Sequence, residues 1–385
     1  MQYLAPILWS LPWVLPPAVV IVRARHSLSL GDISETPAPD APRVSIVIPA
    51  RNESRNIERC VRSVLGAAYP RFEIIVIDDH STDGTGDIAR RIANEDSRIR
   101  VIDAPPLPDG WFGKQWACAT GARESSGDLL LFTDADTRHS PDLLPRAVNA
   151  MRARGAELLS VAGNQEMHSF WERIVQPQMF ALLAIRYGGS EHVSNATRPV
   201  DAIANGQFIL VRRDSYDAIG GHAAVRALVA EDMAMAQTFV ASRRRIALFA
   251  ANDQLSTHMY ASLSELIAGW GKNIYAGGRM AAVGGALGRA SYPFVLLAMP
   301  LMGLVPPIVL FGALFGFLAT QWLVWAAIIV VVNILFWAAL YSYMGESVGY
   351  ALLYPLGIVM LFAIALRGVV RGQRVEWKQR SYLSS

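Results

Sequence analysis

Cysteine is scarce: Cys60 and Cys118 are the whole complement of a 385-residue chain. Two thiols cannot build a disulfide framework or a zinc site of their own, and both read as buried thiols in a reducing compartment. Excess charge is missing too. Thirty-five Lys and Arg against 32 Asp and Glu leave a net +3, too balanced for a polyanion-binding surface spread over the chain, so nucleic acid is not an expected partner. Low hydrophobicity, the mark of disorder, is absent: apolar residues make up 52% of the chain and mean hydropathy is +0.28. A length of 385 residues argues for about two folding units.

Charge is also locally absent, in two places. Met1 to Val22 carries no charged side chain, and Arg23 and Arg25 follow at once. With no basic residue before the apolar run and no small-x-small site after it, residues 1–26 read as a membrane anchor rather than a secretory signal. Pro6, Pro12, Pro16 and Pro17 leave a kinked or interfacial segment open. From Tyr292 to Val370 the only charges are Glu346 and Arg367, so residues 292–370 are expected in lipid. Three apolar stretches, near Tyr292 to Leu318, Trp322 to Tyr341 and Val348 to Leu366, each approach the ~20 residues that span a bilayer.

Counting crossings produces a conflict. Arg23, Arg25, Arg279 and Arg289 place the middle of the chain in the cytoplasm. The basic tail, residues 371–385, wants the cytoplasm as well, and three crossings would put it outside. One stretch is therefore expected to be re-entrant, interfacial or a proline-broken hairpin, and Pro300, Pro306 and Pro307 point to the first. The expected location is the inner (plasma) membrane, multi-pass, with the soluble part in the cytoplasm.

Residues 27–42, with Gly31, Pro37, Pro39 and Pro42, read as a linker. Residues 43–259 form the soluble domain, and 260–291 an interfacial amphipathic segment. Apolar runs at Val44 to Pro49, Glu73 to Ile77, Ile99 to Ile102, Leu129 to Phe132, Leu158 to Ala162 and Phe208 to Val211 alternate with helical patterns such as Ile57, Cys60, Val61, Val64 and Leu65. Continuous apolar strands between amphipathic helices predict an α/β domain: a mostly parallel sheet with helices on both faces.

Ligands of open parallel sheets collect beyond the carboxyl ends of the strands, and polar residues follow three strands here. They are Pro49-Ala50-Arg51-Asn52-Glu53, Asp78-Asp79-His80-Ser81 and Thr133-Asp134-Ala135-Asp136-Thr137. Singly, each reads equally as a turn or helix cap. Asp134 and Asp136, on one side of a strand end, can grip a hard divalent cation that also touches a diphosphate, which suits Mg²⁺ or Mn²⁺. A nucleotide diphosphate is then the implied leaving group, its departing charge stabilised by the metal. A dinucleotide fold is opposed by the lack of Gly-x-Gly-x-x-Gly after the first strand. Glu231 and Asp232 open a helical run, either as charge complements to its dipole or as a general base beside the leaving group.

In this order, the motifs Pro49 to Glu53, Val76 to Thr85, Thr133 to Asp136 and Glu231-Asp232 resemble the family 2 inverting glycosyltransferases over roughly Arg43 to Met259. The resemblance implies a GT-A fold, Rossmann-like, with membrane helices at both ends of the chain. It also implies that Asp79 and the Pro49, Ala50, Arg51 and Glu53 segment hold the nucleoside with Asp78 beside them. Asp134 and Asp136 would bind metal and diphosphate, and Asp232 would be the base. Leu107 to Ala117, Ala204-Asn205-Gly206-Gln207-Phe208, Gly220-Gly221-His222 and Gly269 to Asn273 resemble the membrane-bound carotenoid and hopanoid branch. There Lys114 would neutralise diphosphate, or be a solvated lysine at a helix start. Asn205, Gly206, Gln207, Glu231 and Trp270 would meet sugar or acceptor, with a turn role open for the first three and the bilayer surface for Trp270. His222 reads as structural.

The Gln-x-x-Arg-Trp motif of polymer-forming relatives is absent, so one sugar per acceptor is expected. The expected partners are a nucleotide-sugar donor, a membrane lipid acceptor and the bilayer itself. A polyprenyl-phosphate glycosyltransferase and a non-catalytic membrane scaffold or nucleotide-binding regulator are the competing readings.

Overall fold

The computed structural model describes residues 4–372, 374–377 and 380–383. The chain divides into a sheet unit, residues 27–166, 190–259 and 373–385, and a helical unit, residues 1–26, 167–189 and 260–372.

The sheet unit is built on β1 (Val44–Ala50), β2 (Phe72–Asp78), β3 (Ile99–Asp103), β4 (Leu129–Phe132), β5 (Thr137–His139), β6 (Leu158–Gln165), β7 (Ile209–Arg212) and β8 (Ile246–Thr257). These form one eight-stranded sheet in the order β3-β2-β1-β4-β7-β6-β8-β5. β1, β2, β3 and β4 run parallel, β7 runs against β4 and β6, and β6 and β8 are parallel. Central strands covered on both faces must be apolar throughout, and every residue of β2 is buried. The helix Ile57–Leu65 seats Ile57, Cys60, Val61 and Val64 on the sheet.

Register explains why distant motifs meet. Ala50 pairs with Asp78 across β1 and β2, so the loops after both strands leave side by side. Phe132 pairs with Ile209 in antiparallel β4 and β7. The start of β7, preceded by Asn205-Gly206-Gln207, therefore lies beside the end of β4, followed by Thr133 to Asp136.

Three boundaries differ from the sequence reading. The segment read as a linker packs into the sheet unit: Leu30 is fully buried, Leu28 N–H donates to Ser190 Oγ at 2.7 Å, and Arg146 donates to Gly31 O. Residues 167–189, read as part of the soluble domain, belong to the helical unit. They carry the helix Phe170–Tyr187, started by a Ser169–Glu172 capping box. β5 and the long strand β8 were not expected at all.

In the helical unit, Gly285–Leu314, Gln321–Tyr343 and Val348–Arg371 are long and apolar enough to cross a membrane. The N-terminal helix Leu4–Ala24 contains Pro12, Pro16 and Pro17. The proline-broken hairpin considered for the first stretch does not occur. Gly285–Leu314 is one continuous helix with Pro293, Pro300, Pro306 and Pro307 inside it, as packed membrane helices tolerate. The divided stretch is the third, a 3₁₀ turn Val348–Leu353 followed by the helix Tyr354–Arg371. Gly368 lets that helix close on its neighbour: a Cβ there would lie 2.7 Å from Gly271 O. Beyond it, Arg374–Trp377 pairs antiparallel with Arg380–Leu383; Lys378 and Gln379 of the basic ending lie outside the described residues.

Candidate active site

Two strained turns shape the loops after β1 and β2. Asn52 and His80 adopt left-handed φ of 53° and 54°, rare for residues with a Cβ. Both are held by reciprocal hydrogen bonds: Asn52 N–H donates to Ser81 Oγ at 3.0 Å and Thr82 N–H to Asn52 Oδ1 at 2.9 Å. Asp78 accepts from Ser81 N–H at 3.1 Å and lies under the helix Thr85–Ala93, where a Cβ on Gly86 would approach its Oδ2 to 2.3 Å. It therefore shapes the turn. Arg51 Nη1 donates to Asp79 O at 2.5 Å and stands 3.9 Å from the Asp79 carboxylate. Asp79 is 2% exposed, so this pair is a firm floor. Glu53 N–H donates to Thr85 Oγ1 at 2.7 Å.

The second group surrounds a small cavity lined by Pro49, Lys114, Cys118, Thr133, Asp134, Gly206, His222, Glu231 and Asp232, among others. Lys114 Nζ lies 2.7 Å from Asp134 Oδ1 and 2.9 Å from Glu231 Oε1. One ammonium thus joins the end of β4 to the start of the helix Glu231–Ala241. Desolvation opposes its charge, but the two carboxylates prevail and hold Lys114 well above the ordinary lysine range. Asp134 is raised by burial even with the ammonium beside it.

Asp136 Oδ1 is closed off from solvent with no hydrogen-bond partner, and burial, then Asp134 and Glu53, push its carboxyl up to about 7. Asp232 is oriented at both oxygens, accepting from Gly206 N–H at 2.9 Å and from Met233 N–H at 2.7 Å. Burial first, and then the charge of Glu231, lift it to about 6. That value suits a base working near neutral pH.

Behind these acids, Thr133 Oγ1 donates to Gln207 O at 2.7 Å and Thr137 Oγ1 to Asp134 O at 2.8 Å. His139 Nε2 lies 2.9 Å and 3.2 Å from those hydroxyls. Each hydroxyl proton is committed to a carbonyl, so the ring Nε2 carries a proton and donates. Asn205 Nδ2 donates to Val161 O and Gln207 Oε1, and Gln165 Nε2 also donates to Gln207 Oε1. Asn205 and Gln207 thereby build the turn that presents Gly206. His222 is buried, its Nδ1 2.8 Å from Tyr216 OH, and burial drops its pKa to about 3; it is structural. Trp270 belongs to the helical unit, 8% exposed beside Phe180 and Tyr260. Cys60 and Cys118 are free and buried.

The sequence reading had no signal for the Lys114–Glu231 contact or for the hydrogen bonds of His139 to Thr133 and Thr137. It also missed Gln115, whose Nε2 donates to Leu228 O at 2.7 Å and ties the Lys114 helix to the segment before Glu231. Among the described residues no three potential metal-ligating side chains form a group.

Residues 45–220 match the family described as Glycosyl transferase family 2. They form a family 2 glycosyltransferase domain. The acids at the ends of β1, β2 and β4 lie inside the matched span of this glycosyltransferase domain, and Glu231 and Asp232 lie just beyond it. The chain is 26% identical over 239 residues to the 4,4'-diaponeurosporenoate glycosyltransferase of Staphylococcus haemolyticus, covering 61% of each chain. Over 127 residues it is 35% identical to the glycosyltransferase AglE of Haloferax volcanii, covering 32% of this chain and 40% of that one. The chain thus matches 61% or less of the length of these relatives. The mannosyltransferase PcManGT of Pyrobaculum calidifontis, solved with GDP-Man and Mn²⁺, shares the fold. It superposes with a TM-score of 0.53 at 19% identity, covering 95% of this chain and 97% of that one. The sheet unit is the GT-A α/β fold.

Proposed function

We propose that this protein is a membrane-bound glycosyltransferase. It moves one hexose from a nucleotide-diphosphate sugar, UDP-linked by our reading, to a membrane lipid such as a carotenoid or other terpenoid, with inversion. The observation that carries the reading is the convergence of Asp134, Glu231 and Asp232 from distant segments around Lys114. The named activity of the Staphylococcus relative, on a carotenoid acid, supports the acceptor class, and the exposed apolar helices support an acceptor that stays in the bilayer.

The donor set fits a divalent cation. Asp134 and Asp136 offer hard carboxylate oxygens, and the orphaned Oδ1 of Asp136 lacks a partner that such an ion would supply. Two carboxylates suit Mg²⁺ or Mn²⁺, which take further oxygens from phosphate and water. Bound there, the ion would neutralise charge developing on the departing diphosphate. The chain's own residues do the rest. Arg51, Asp79 and the strained Asn52 turn shape the nucleoside floor. Asp232, fixed by two backbone N–H groups, takes the proton of the attacking hydroxyl. Direct displacement from the face opposite the nucleotide inverts the anomeric carbon without a covalent intermediate.

Arg23, Arg25, Arg279 and Arg289 support a cytoplasmic sheet unit by the positive-inside rule. Of the three apolar stretches, the third is the one we assign to the interface, because a 3₁₀ turn, Val348–Leu353, divides it and leaves an 18-residue helix. Two full crossings would then return the basic ending to the cytoplasm with the sheet unit, provided the N-terminal helix anchors without changing sides.

The test is mass spectrometry of lipids from cells with and without the protein, alongside nucleotide release measured with and without lipid extract. A glycolipid that appears only with the protein is expected. No lipid difference and no lipid-stimulated nucleotide release would overturn the reading.

A further inference from the structure

We propose that Lys114 is the resident cation of the donor-free site. It holds Asp134 and Glu231 together until donor and metal arrive as one complex, and then turns to the diphosphate. This rests on the glycosyltransferase reading and adds an order of binding to it.

The position is odd by local rules. Lys114 is the second residue of the helix Gly113–Arg123, and a cation at a helix N-terminus opposes the helix dipole. The same helix end favours an anion, because its first N–H groups have no partner within the helix. A lysine there is explained by what it faces. Its ammonium sits 2.7 Å from Asp134 and 2.9 Å from Glu231. Without it, those carboxylates would confront each other and Asp232 across one small cavity.

Gly206 keeps the space for this arrangement. A Cβ at Gly206 would lie 3.1 Å from Lys114 Nζ and 3.2 Å from Asp232 Oδ2. The backbone around Lys114 is anchored, with Phe112 N–H donating to Arg226 O at 2.9 Å and Gln115 tied to Leu228 O. Reorientation is thus left to the four-carbon lysine stem, which is 24% exposed. Asp134 cannot give the same oxygen to the ammonium and to a divalent ion at full strength. A metal ion alone therefore competes with Lys114 for Asp134 and leaves the ammonium with Glu231 as its one carboxylate partner of the two. A metal–diphosphate complex brings the anion that the freed ammonium accepts.

The consequence separates this role from a structural one: removing the ammonium should strengthen metal binding in the absence of nucleotide. The experiment measures Mn²⁺ binding to full-length, detergent-solubilised protein by the electron paramagnetic resonance signal of free Mn²⁺, with no nucleotide present. Lys114→Met and Lys114→Gln are compared with wild type, each checked for an unchanged circular dichroism spectrum. We expect both variants to bind Mn²⁺ about tenfold more tightly, equivalent to ~1.4 kcal/mol, and adding Asp134→Ala to abolish the gain. Equal or weaker Mn²⁺ affinity in the folded variant, or a gain that survives Asp134→Ala, overturns the proposal. Lys114→Gln keeps the test standing where Lys114→Met does not fold. The readout is independent of turnover, so a wild-type protein that makes no glycolipid would sink the functional reading without deciding this one.

Discussion

The two units bury opposite chemistries. The sheet unit hides its aliphatic strands, with Val44, Ile48, Ile74 and Leu131 at 1% exposure or less, and presents polar loops at one end. The helical unit turns Phe294, Phe317 and Val370 outward at 76%, 76% and 78% exposure. It also encloses Gln176, at 0% exposure and without a partner for its amide. Apolar surface leaves water wherever water is the solvent, so the inversion means that the helical unit is built for a different solvent. Within one chain, the same physical force buries the aliphatic side chains of one unit and leaves those of the other on its surface.

Breaking the chemistry of the sheet unit should have the largest effect. Asp232→Asn keeps the shape but removes the base, and transfer to lipid should fall by about 10²- to 10⁴-fold while nucleotide binding persists. Retained turnover would remove Asp232 from the mechanism. The same variant should gain heat resistance relative to wild type as pH rises from 4 to 8. The folded carboxyl titrates near 6 against an ordinary value of 3.8, so folding favours its protonated form. The stability this gives is complete below about pH 4 and is lost as pH rises through 6, because the charged form is then the one buried. Asn carries no charge, although its NH₂ must face one of the two N–H donors that Asp232 accepts from. Its Tm relative to wild type should therefore rise between pH 4 and pH 8. Wild-type activity should decline as pH drops below about 6, when the base becomes protonated, and a pH–rate profile would show it.

Asp134→Ala comes next. It should abolish metal-dependent donor binding in calorimetry while leaving the melting profile of the sheet unit in place. Unchanged binding would count against the metal assignment.

In the helical unit the sharper test is insertion. Ile328 is 57% exposed near the middle of the helix Gln321–Tyr343. Ile328→Asp should cost about 3–4 kcal/mol of membrane insertion and release protein on alkaline carbonate extraction. The exposed Asp87, at 90% side-chain exposure in the sheet unit, should accept Asp87→Leu without changing extraction. Equal behaviour of the two variants would erase the contrast between the units. The smallest effect is expected of Gly206→Ala, where the new Cβ would crowd Lys114 Nζ and Asp232 Oδ2. Turnover should fall by several-fold, on the order of 1 kcal/mol in the barrier, with the fold intact.

Legibility in the sequence followed the range of the interactions. β1, β2, β3 and β4 could be read because each is an apolar run buried on both faces. β5 could not, being only Thr137–His139, and β8 trails into Ala-Ala-Asn-Asp-Gln, which carries no such pattern. Asp134, Asp136 and Asp232 stood out through motifs. Lys114, Gly206 and Glu231 stood out as well, but not their contacts with those acids. Lys114 and Glu231 lie far apart in the chain, and Gly206 matters only because of two side chains that pass beside it. The excursion of Met167 to Gly189 into the helical unit was equally hidden, since an amphipathic helix does not name the surface it will cover.

The sequence alone determined the long apolar helices, the apolar strands of the sheet and the acids that follow them, because these depend on composition and on residues close in the chain. Only the tertiary structure decided which carboxylates share one ammonium, which oxygen of Asp136 is left without a partner, and that the helix Gly285–Leu314 runs unbroken through its prolines. Those outcomes depend on strand register and on packing between distant segments, and neither is written in any local stretch of residues.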